Sequence, residues 1–291
     1  MLESRADPGP RRSPVSCVPD AEFTFSESDF ATIAALLYEE AGIRLRPGKA
    51  PLVYARLARR LRTLGLQSFA DYIALLRNEH SGERGQLVVA LTTNVTRFFR
   101  EPHHFEHLRN NVVLPALSRL PRGARLRFWS AACSTGQEPY SLAAMIAEVL
   151  SGSHEHNIRI LATDIDREVL AAGERGRYGS LDGVPDPARR WFKRDGSSWI
   201  VDDHLRSLIT FRHLNLNAAW PLRGPFEAIL CRNVAIYFDQ QVQERLWSKF
   251  ASVLNAGAFL YIGHSERVSG PASDLFESAG ITTYRRRGNR T

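Results

Sequence analysis

From residue 125 onward the chain alternates short apolar runs with amphipathic ones, and this rhythm restricts the fold more than any other feature. The runs "RLRFWSA" (125–131), "IRILATDI" (158–165), "ITFRHLNL" (209–216), "FEAILCRN" (226–233) and "GAFLYIGHS" (257–265) read as strands. Between them, "YSLAAMIAEVL", "DREVLAAGERG" and "DQQVQERLWSKFASVL" read as helices. Such alternation predicts an α/β domain with a mostly parallel, doubly wound sheet. Residues 176–208 break the rhythm. There "WFKRDGSSWIVDDHLRSLITF", with a turn at Asp195-Gly196-Ser197, reads as a small antiparallel β-subdomain insert.

The amino-terminal part has helical periodicity throughout. "SESDFATIAALLYEEAG" places Phe30, Ile33, Leu36 and Leu37 at helical spacing and ends at Gly42. "APLVYARLARRLRTLG" sets Leu52, Val53, Leu57, Leu61 and Leu64 on an inner side, with Arg56, Arg59 and Arg60 on a common outer face. "SFADYIALLRN" is a third helix, capped by Ser68. The expected organisation is a helical domain at 21–80, a connecting region at 81–120 and an α/β domain at 121–291. Residues 1–20, rich in Pro, Arg and Ser, lack the apolar core of a signal peptide and are expected to be a disordered lead-in to a cytoplasmic protein. No apolar run reaches the ~18 residues that a membrane span needs.

The net charge of +7 is unevenly placed. Residues 44–62 alone carry +7 with no acid, and the tail arginines 285, 286, 287 and 290 add +4, so the remainder is −4. A local basic face implies a local acidic partner rather than a general nucleic-acid binder. Lysine occurs only at 49, 193 and 249, so the clustering carries the argument and the preference for arginine does not. Cys17, Cys133 and Cys231 share no short spacing, which speaks against a disulfide framework or a zinc site. The histidines at 103, 104 and 107 have a metal-like spacing but no accompanying third ligand, so no metal is expected.

Ligands of doubly wound sheets sit at the carboxyl ends of the strands. Here those ends read Cys133-Ser134-Thr135-Gly136, Asp164, Asn215-Leu216, Arg232-Asn233 and Gly263-His264-Ser265. No P-loop is among them, which disfavours a nucleoside triphosphate. Asp164 ends the second strand, where an acid accepts hydrogen bonds from ribose hydroxyls. Its alternative role, capping the next helix, is open to Asp166. The turn "ACSTGQEPYS" holds one glycine and places Glu138 in the first helical turn. A carboxylate there repels pyrophosphate and attracts a cation, which suits the phosphate-free sulfonium of S-adenosylmethionine; it also favours the helix dipole.

The segments "LTTNVTRFFREPHHF", "WSAACSTGQEPYSLA", "LATDID", "LAAGERGRY", "FEAILCRNVAIYFD" and "FLYIGHSE" occur in the order found in CheR-type chemotaxis receptor methyltransferases. The resemblance runs from about residue 22 to 284. It implies a Rossmann-like class I methyltransferase sheet with an amino-terminal all-helical domain and a small antiparallel β-subdomain. It also implies methyl transfer from S-adenosylmethionine to glutamate side chains in the cytoplasmic helical domain of bacterial chemoreceptors, yielding the methyl ester and S-adenosylhomocysteine. Carried over by motif, Asn94, Thr96, Arg100, Glu138, Asp164, Asn215, Leu216, Arg232 and Asn233 would form the cofactor site. Arg100 and Tyr237 would lie nearest the reacting groups, and Arg56, Arg59, Arg60 and Arg62 would dock the receptor. Gln137 departs from the Glu common in relatives at that position.

A carboxylate nucleophile, with an ordinary pKa of ~4.3, is already ionised at neutral pH, so no general base is assigned. The short insert loop "KRDGSSWIV" implies an enzyme independent of a receptor tail pentapeptide. The chain is expected to act as a monomer, without nucleic acid or membrane insertion. Two other readings stay open. A nucleic-acid base methyltransferase would carry Asn/Asp-Pro-Pro-aromatic where this chain has "RNVAIY". A non-catalytic cofactor sensor would bind the methyl donor without consuming it.

Overall fold

The computed structural model describes residues 17–18, 21–119, 121, 123–150 and 157–288. The expected disordered lead-in therefore lies almost wholly outside the described residues, as does Arg290. The chain divides into two compact units, Met1–Glu39 with Leu45–Leu91, and Glu40–Arg44 with Thr92–Thr291.

The first unit is helical: α1 (Glu27–Ala41), α2 (Ala50–Leu64), α3 (Phe69–Arg77) and α4 (Glu83–Leu91). It takes in α4, which the sequence reading assigns to the connecting region. Ser26 caps α1 reciprocally: its hydroxyl accepts from Asp29 N at 3.1 Å while Asp29 Oδ2 accepts from Ser26 N at 2.9 Å. Ser68 caps α3 as expected, accepting from Asp71 N at 3.1 Å. Gly65, in the left-handed region at φ 67°, stops α2.

Val53, Leu57 and Leu61 are fully buried along one stripe of α2, but Leu52 is 44% exposed. Leu52 lies about 100° around the helix from Val53, off the stripe, which corrects its inward assignment. The arginine face needs correction too. Arg60 Nε and Nη2 donate to the two oxygens of buried Glu83, each at 2.7 Å. Arg62 binds Glu22 at 2.7 Å, and Arg56 donates to the Ala90 carbonyl at 3.3 Å. The acids come from outside 44–62, so local charge counting missed them. Arg59 remains exposed.

The second unit contains a seven-stranded sheet built from β1 (Arg125–Ala131), β2 (Asn157–Asp164), β6 (Ile209–His213), β7 (Phe226–Cys231), β8 (Leu254–Ile262), β9 (Phe276–Gly280) and β10 (Thr283–Arg286). The order is β6-β2-β1-β7-β8-β10-β9, parallel from β6 to β8 and antiparallel beyond. β1 lies beside both β2 and β7, so the chain reverses its winding there. That reversal is where such sheets open a ligand crevice. Along β1, Leu126 and Phe128 enter one core and Trp129 and Ala131 the other, the period-two alternation of a sheet covered on both faces.

Helices α5 (Pro102–Leu108), α6 (Leu114–Arg119), α7 (Gln137–Leu150), α8 (Arg167–Arg175), α9 (Asp203–Leu208) and α10 (Gln240–Val253) complete the unit. α7 is buried continuously from Glu138 to Ala147. The insert is a three-stranded antiparallel sheet of β3 (Arg177–Tyr178), β5 (Ser198–Val201) and β4 (Phe192–Asp195). Its hairpin turns where expected, with Asp195 opposite Ser198 and Gly196 at φ 58°. β9 was not expected: "FESAG" has little strand propensity, and its pairing to β10 supplies the order.

Candidate functional site

The turn after β1 has Ala132, Ser134 and Gly136 at positive φ. At Gly136 a Cβ would approach Tyr178 Oη to 2.9 Å and Gly173 Cα to 3.0 Å, so only glycine fits. The Cys133 amide donates to the Thr163 carbonyl at 2.9 Å, holding the turn against the end of β2. Ser134 N then donates to Asp164 Oδ2 at 2.8 Å, and Asp166 N to Asp164 Oδ1 at 3.0 Å. Burial pushes the Asp164 carboxyl above its ordinary range, while those amides pull it back. Each oxygen keeps a further lone pair for a ligand hydroxyl. Asp166 caps α8, accepting from Glu168 N at 2.8 Å and Val169 N at 3.3 Å. The capping role is thus filled, as the sequence suggested.

The structure brings the expected cofactor residues and Tyr237 onto one cleft of about 920 Å³, measured out to its open mouth. Asn94, Thr96 and Arg100 come from the loop before α5; Glu138 from α7; Asp164 from β2; Asn215 and Leu216 from beyond β6; Arg232, Asn233 and Tyr237 from beyond β7. Leu214, Leu216, Val234 and Phe238 give it an apolar wall. The Asn94 amide donates to Asp166 Oδ2 at 2.9 Å, and its carbonyl accepts from Ser134 Oγ at 2.9 Å. Asn215 Nδ2 donates to the Glu40 carbonyl at 2.7 Å, so this side chain fixes the loop.

The electrostatics correct one expectation. Glu138 is not a free anion awaiting a cation. Its Oε2 accepts from Arg232 Nε at 2.6 Å and its Oε1 from Ser130 Oγ at 2.6 Å, in a buried setting. An unpaired carboxylate there would be too costly to bury. Arg232 Nη1 also donates to the Arg100 carbonyl and lies 3.7 Å from Glu101 Oε2.

Sequence reasoning missed Glu101 and His104. Glu101 has φ 56° just before Pro102, and its Oε1 lies 3.2 Å from His264 Nδ1. Burial raises its carboxyl, but Arg232 and the His264 hydrogen bonds outweigh this and hold it below the ordinary value. His104 is fully buried, and burial, together with the Arg232 charge, lowers it to about 4. Its Nε2 donates to the Ile281 carbonyl at 3.2 Å, leaving Nδ1 to accept from Arg232 Nη1 at 3.5 Å. His107 Nδ1 meets Tyr261 Oη at 3.0 Å. These two histidines are therefore engaged in packing and hydrogen bonds.

Two supports on the far wall were also missed. Buried Glu266 accepts from the amides of Gly263, Asn233 and Ile236 at 2.5, 3.1 and 3.2 Å, fixing the "RNVAIY" turn. Lys249 of α10 donates to the carbonyls of Leu216 and Ala218 at 2.8 and 2.6 Å, with its Nζ 4.1 Å from the Trp220 ring centroid. Rarity was its only signal: it is one of three lysines.

Arg100 and Tyr237, with Thr93, Val95, Thr96 and Asn233, line both the cleft and an adjoining hollow. Two side chains able to contact a carboxylate therefore stand where the cleft and the hollow adjoin.

The model described as "CheR methyltransferase, SAM binding domain" matches residues 94–285, and "CheR methyltransferase, all-alpha domain" matches residues 28–92. A probable chemotaxis protein methyltransferase of Rhizobium etli is 46% identical, covering 86% of this chain and 96% of that protein. Chemotaxis protein methyltransferase 2 of Pseudomonas aeruginosa is 42% identical over 94% of this chain and 99% of its own length. The chemotaxis protein methyltransferase of Escherichia coli is 41% identical over 89% and 91%.

The cleft fits S-adenosylmethionine. The buried Asn233 amide oxygen has no hydrogen-bond partner among the described residues and suits a ligand donor. Asp164 has acceptor capacity for ribose hydroxyls, and the apolar wall suits an adenine face.

Proposed function

The chain belongs to the CheR methyltransferase family and is an S-adenosylmethionine-dependent enzyme, and from that premise we propose that it methylates glutamate carboxylates on the cytoplasmic helical domain of chemoreceptors. Resemblance to relatives named chemotaxis protein methyltransferases supports this substrate. The observation that carries the reading is the position of Arg100 and Tyr237, which border both the cleft and the hollow adjoining it.

The bound donor supplies an electrophilic methyl group on a sulfonium. The protein's work is then mostly placement. Asp164 holds the ribose hydroxyls, Asn233 a donor group, and Leu216 and Val234 an adenine face. Arg232 pairs with Glu138 and holds the Arg100 carbonyl by a hydrogen bond. Arg100 holds one oxygen of the incoming carboxylate while the other attacks. Tyr237 steers that approach. The nucleophile arrives deprotonated, so exclusion of water and alignment supply the rate enhancement. The compact insert hairpin, with its two-residue loop between Asp195 and Ser198, supports independence from a receptor tail peptide.

The test is to incubate the protein with labelled S-adenosylmethionine and purified receptor cytoplasmic fragments, then locate the label by mass spectrometry. Label on glutamate side chains is the expected result; label on another residue type would refute the substrate assignment.

A further inference from the structure

Arg100 sits between two residues in the left-handed region, Phe99 at φ 48° and Glu101 at φ 56°. Side chains fit that region poorly, so such a backbone persists only where its neighbours hold it. One side of the segment is held from the loops after β7 and β8: Arg232 Nη1 donates to the Arg100 carbonyl, and His264 N donates to Glu101 Oε1 at 3.3 Å. The other side meets the insert. The buried Phe98 ring packs edge-on against Tyr178 of β3 and Phe192 of β4, with centroids 4.9 and 5.3 Å away. Gly183, between those two strands, lies so close that a Cβ on it would stand 2.4 Å from the Phe98 carbonyl oxygen. Phe99 N, next in the chain, donates to Ser141 Oγ at 2.9 Å. The Arg100 side chain itself donates one hydrogen bond among the described residues, from Nη1 to the Val95 carbonyl at 3.3 Å. Its place is therefore set mainly through its backbone.

We propose that the insert is the buttress of Arg100, with Gly183 and Phe192 as positioning residues that act on methyl transfer through Phe98. The proposal rests on the reading above, in which Arg100 holds the incoming carboxylate. It gives the insert a task in the reaction itself, one that needs no receptor peptide. Neither Gly183 nor Phe192 lines the cleft. Gly183 faces Phe98 alone: the three atoms nearest its added Cβ all belong to that residue. A shift of Phe98 passes along the chain to Arg100, and a displacement of about 1 Å at a reacting centre can cost as much as ~100-fold in rate. Tyr178 is a poorer probe, because its Oη also donates to the Thr135 carbonyl at 2.7 Å and so touches the turn after β1.

Gly183→Ala is the sharpest test, since Gly183 is exposed and the change adds one methyl group against the Phe98 carbonyl. With labelled S-adenosylmethionine and receptor fragments, kcat should fall about tenfold or more, while S-adenosylhomocysteine affinity by calorimetry stays within about twofold. Phe192→Ala should act the same way, and Phe192→Leu should recover most of the loss. In an Arg100→Ala background, Gly183→Ala should cost nothing further, because both changes remove the same contact. A general structural defect would instead add to the Arg100 loss and weaken S-adenosylhomocysteine with it. Hydrogen exchange read by mass spectrometry on the peptide 97–104 needs no substrate: its Phe99 amide should exchange about tenfold faster in Gly183→Ala. Full kcat in Gly183→Ala, additive losses in the double variant, or unchanged exchange would each overturn the proposal. Full activity of Arg100→Ala, or failure of the wild type to label receptor fragments, would count against the methyl-transfer reading, and the exchange result would still decide whether the insert holds the segment.

Discussion

Arg232 Nε lies 2.6 Å from Glu138 Oε2, and the two side chains are only 2% and 9% exposed. This buried pair joins the strand-end turn after β7 to the first turn of α7. Removing one member strands the other charge, a loss of about 3 kcal/mol. Glu138→Gln should show that loss in urea unfolding. The double variant Glu138→Gln with Arg232→Met should recover part of it. Two single variants that each unfold like the wild type would contradict the pairing.

His104 makes stability pH-dependent. Its folded-state value of about 4 lies below the ordinary 6.5, so on acidification the unfolded chain takes up a proton first. Stability contributed by the neutral buried ring is therefore present above pH 6.5 and declines as pH falls toward 4, by about 3 kcal/mol in all. Glu101, whose carboxyl is depressed, extends the decline below its ordinary 4.5. Urea midpoints measured across this range check the slope, and His104→Gln should flatten its upper part.

The Lys249 ammonium anchors the Leu216 and Ala218 carbonyls against Trp220. Burial, with Arg245 nearby, lowers this lysine to about 8. Lys249→Met should free the loop and weaken S-adenosylhomocysteine about tenfold by calorimetry. Lys249→Arg should restore little, because a planar guanidinium does not fit a compact three-donor seat.

A Cβ at Gly263 would lie 2.4 Å from Asn233 Nδ2 and 2.6 Å from its backbone nitrogen. Gly263→Ala must therefore displace Asn233 from the cleft. Ligand affinity should drop at least about tenfold. Unchanged affinity would remove Asn233 from the binding set.

Much of this was legible in sequence because the signals are local. β1 matches "RLRFWSA" residue for residue, since alternating burial and a turn of unusual residues bound it on both sides. Strand ends pointed to Asp164, Asn215 and Asn233 because parallel topology brings those ends together. Pairings across long separations were not legible. Glu83 against Arg60 and Glu101 against Arg232 join residues 23 and 131 positions apart, and charge counting within a window cannot see them. Glu138 was misread for the same reason: its counter-charge is 94 positions away. β9 was missed because its order comes from its neighbour, not from its own residues.

The central claim is that a carboxylate oxygen receives the methyl group. A carboxylate of pKa ~4.3 stays ionised throughout and needs no general base, so turnover should be nearly flat from pH 6 to 8. Tyr237→Phe should lower kcat more than donor affinity. The most direct measurement exposes the labelled protein product to mild base and traps volatile radioactivity. If the account is right, the label leaves as methanol, as an ester requires; if it stays on the protein, the acceptor is not a carboxylate and the account is wrong.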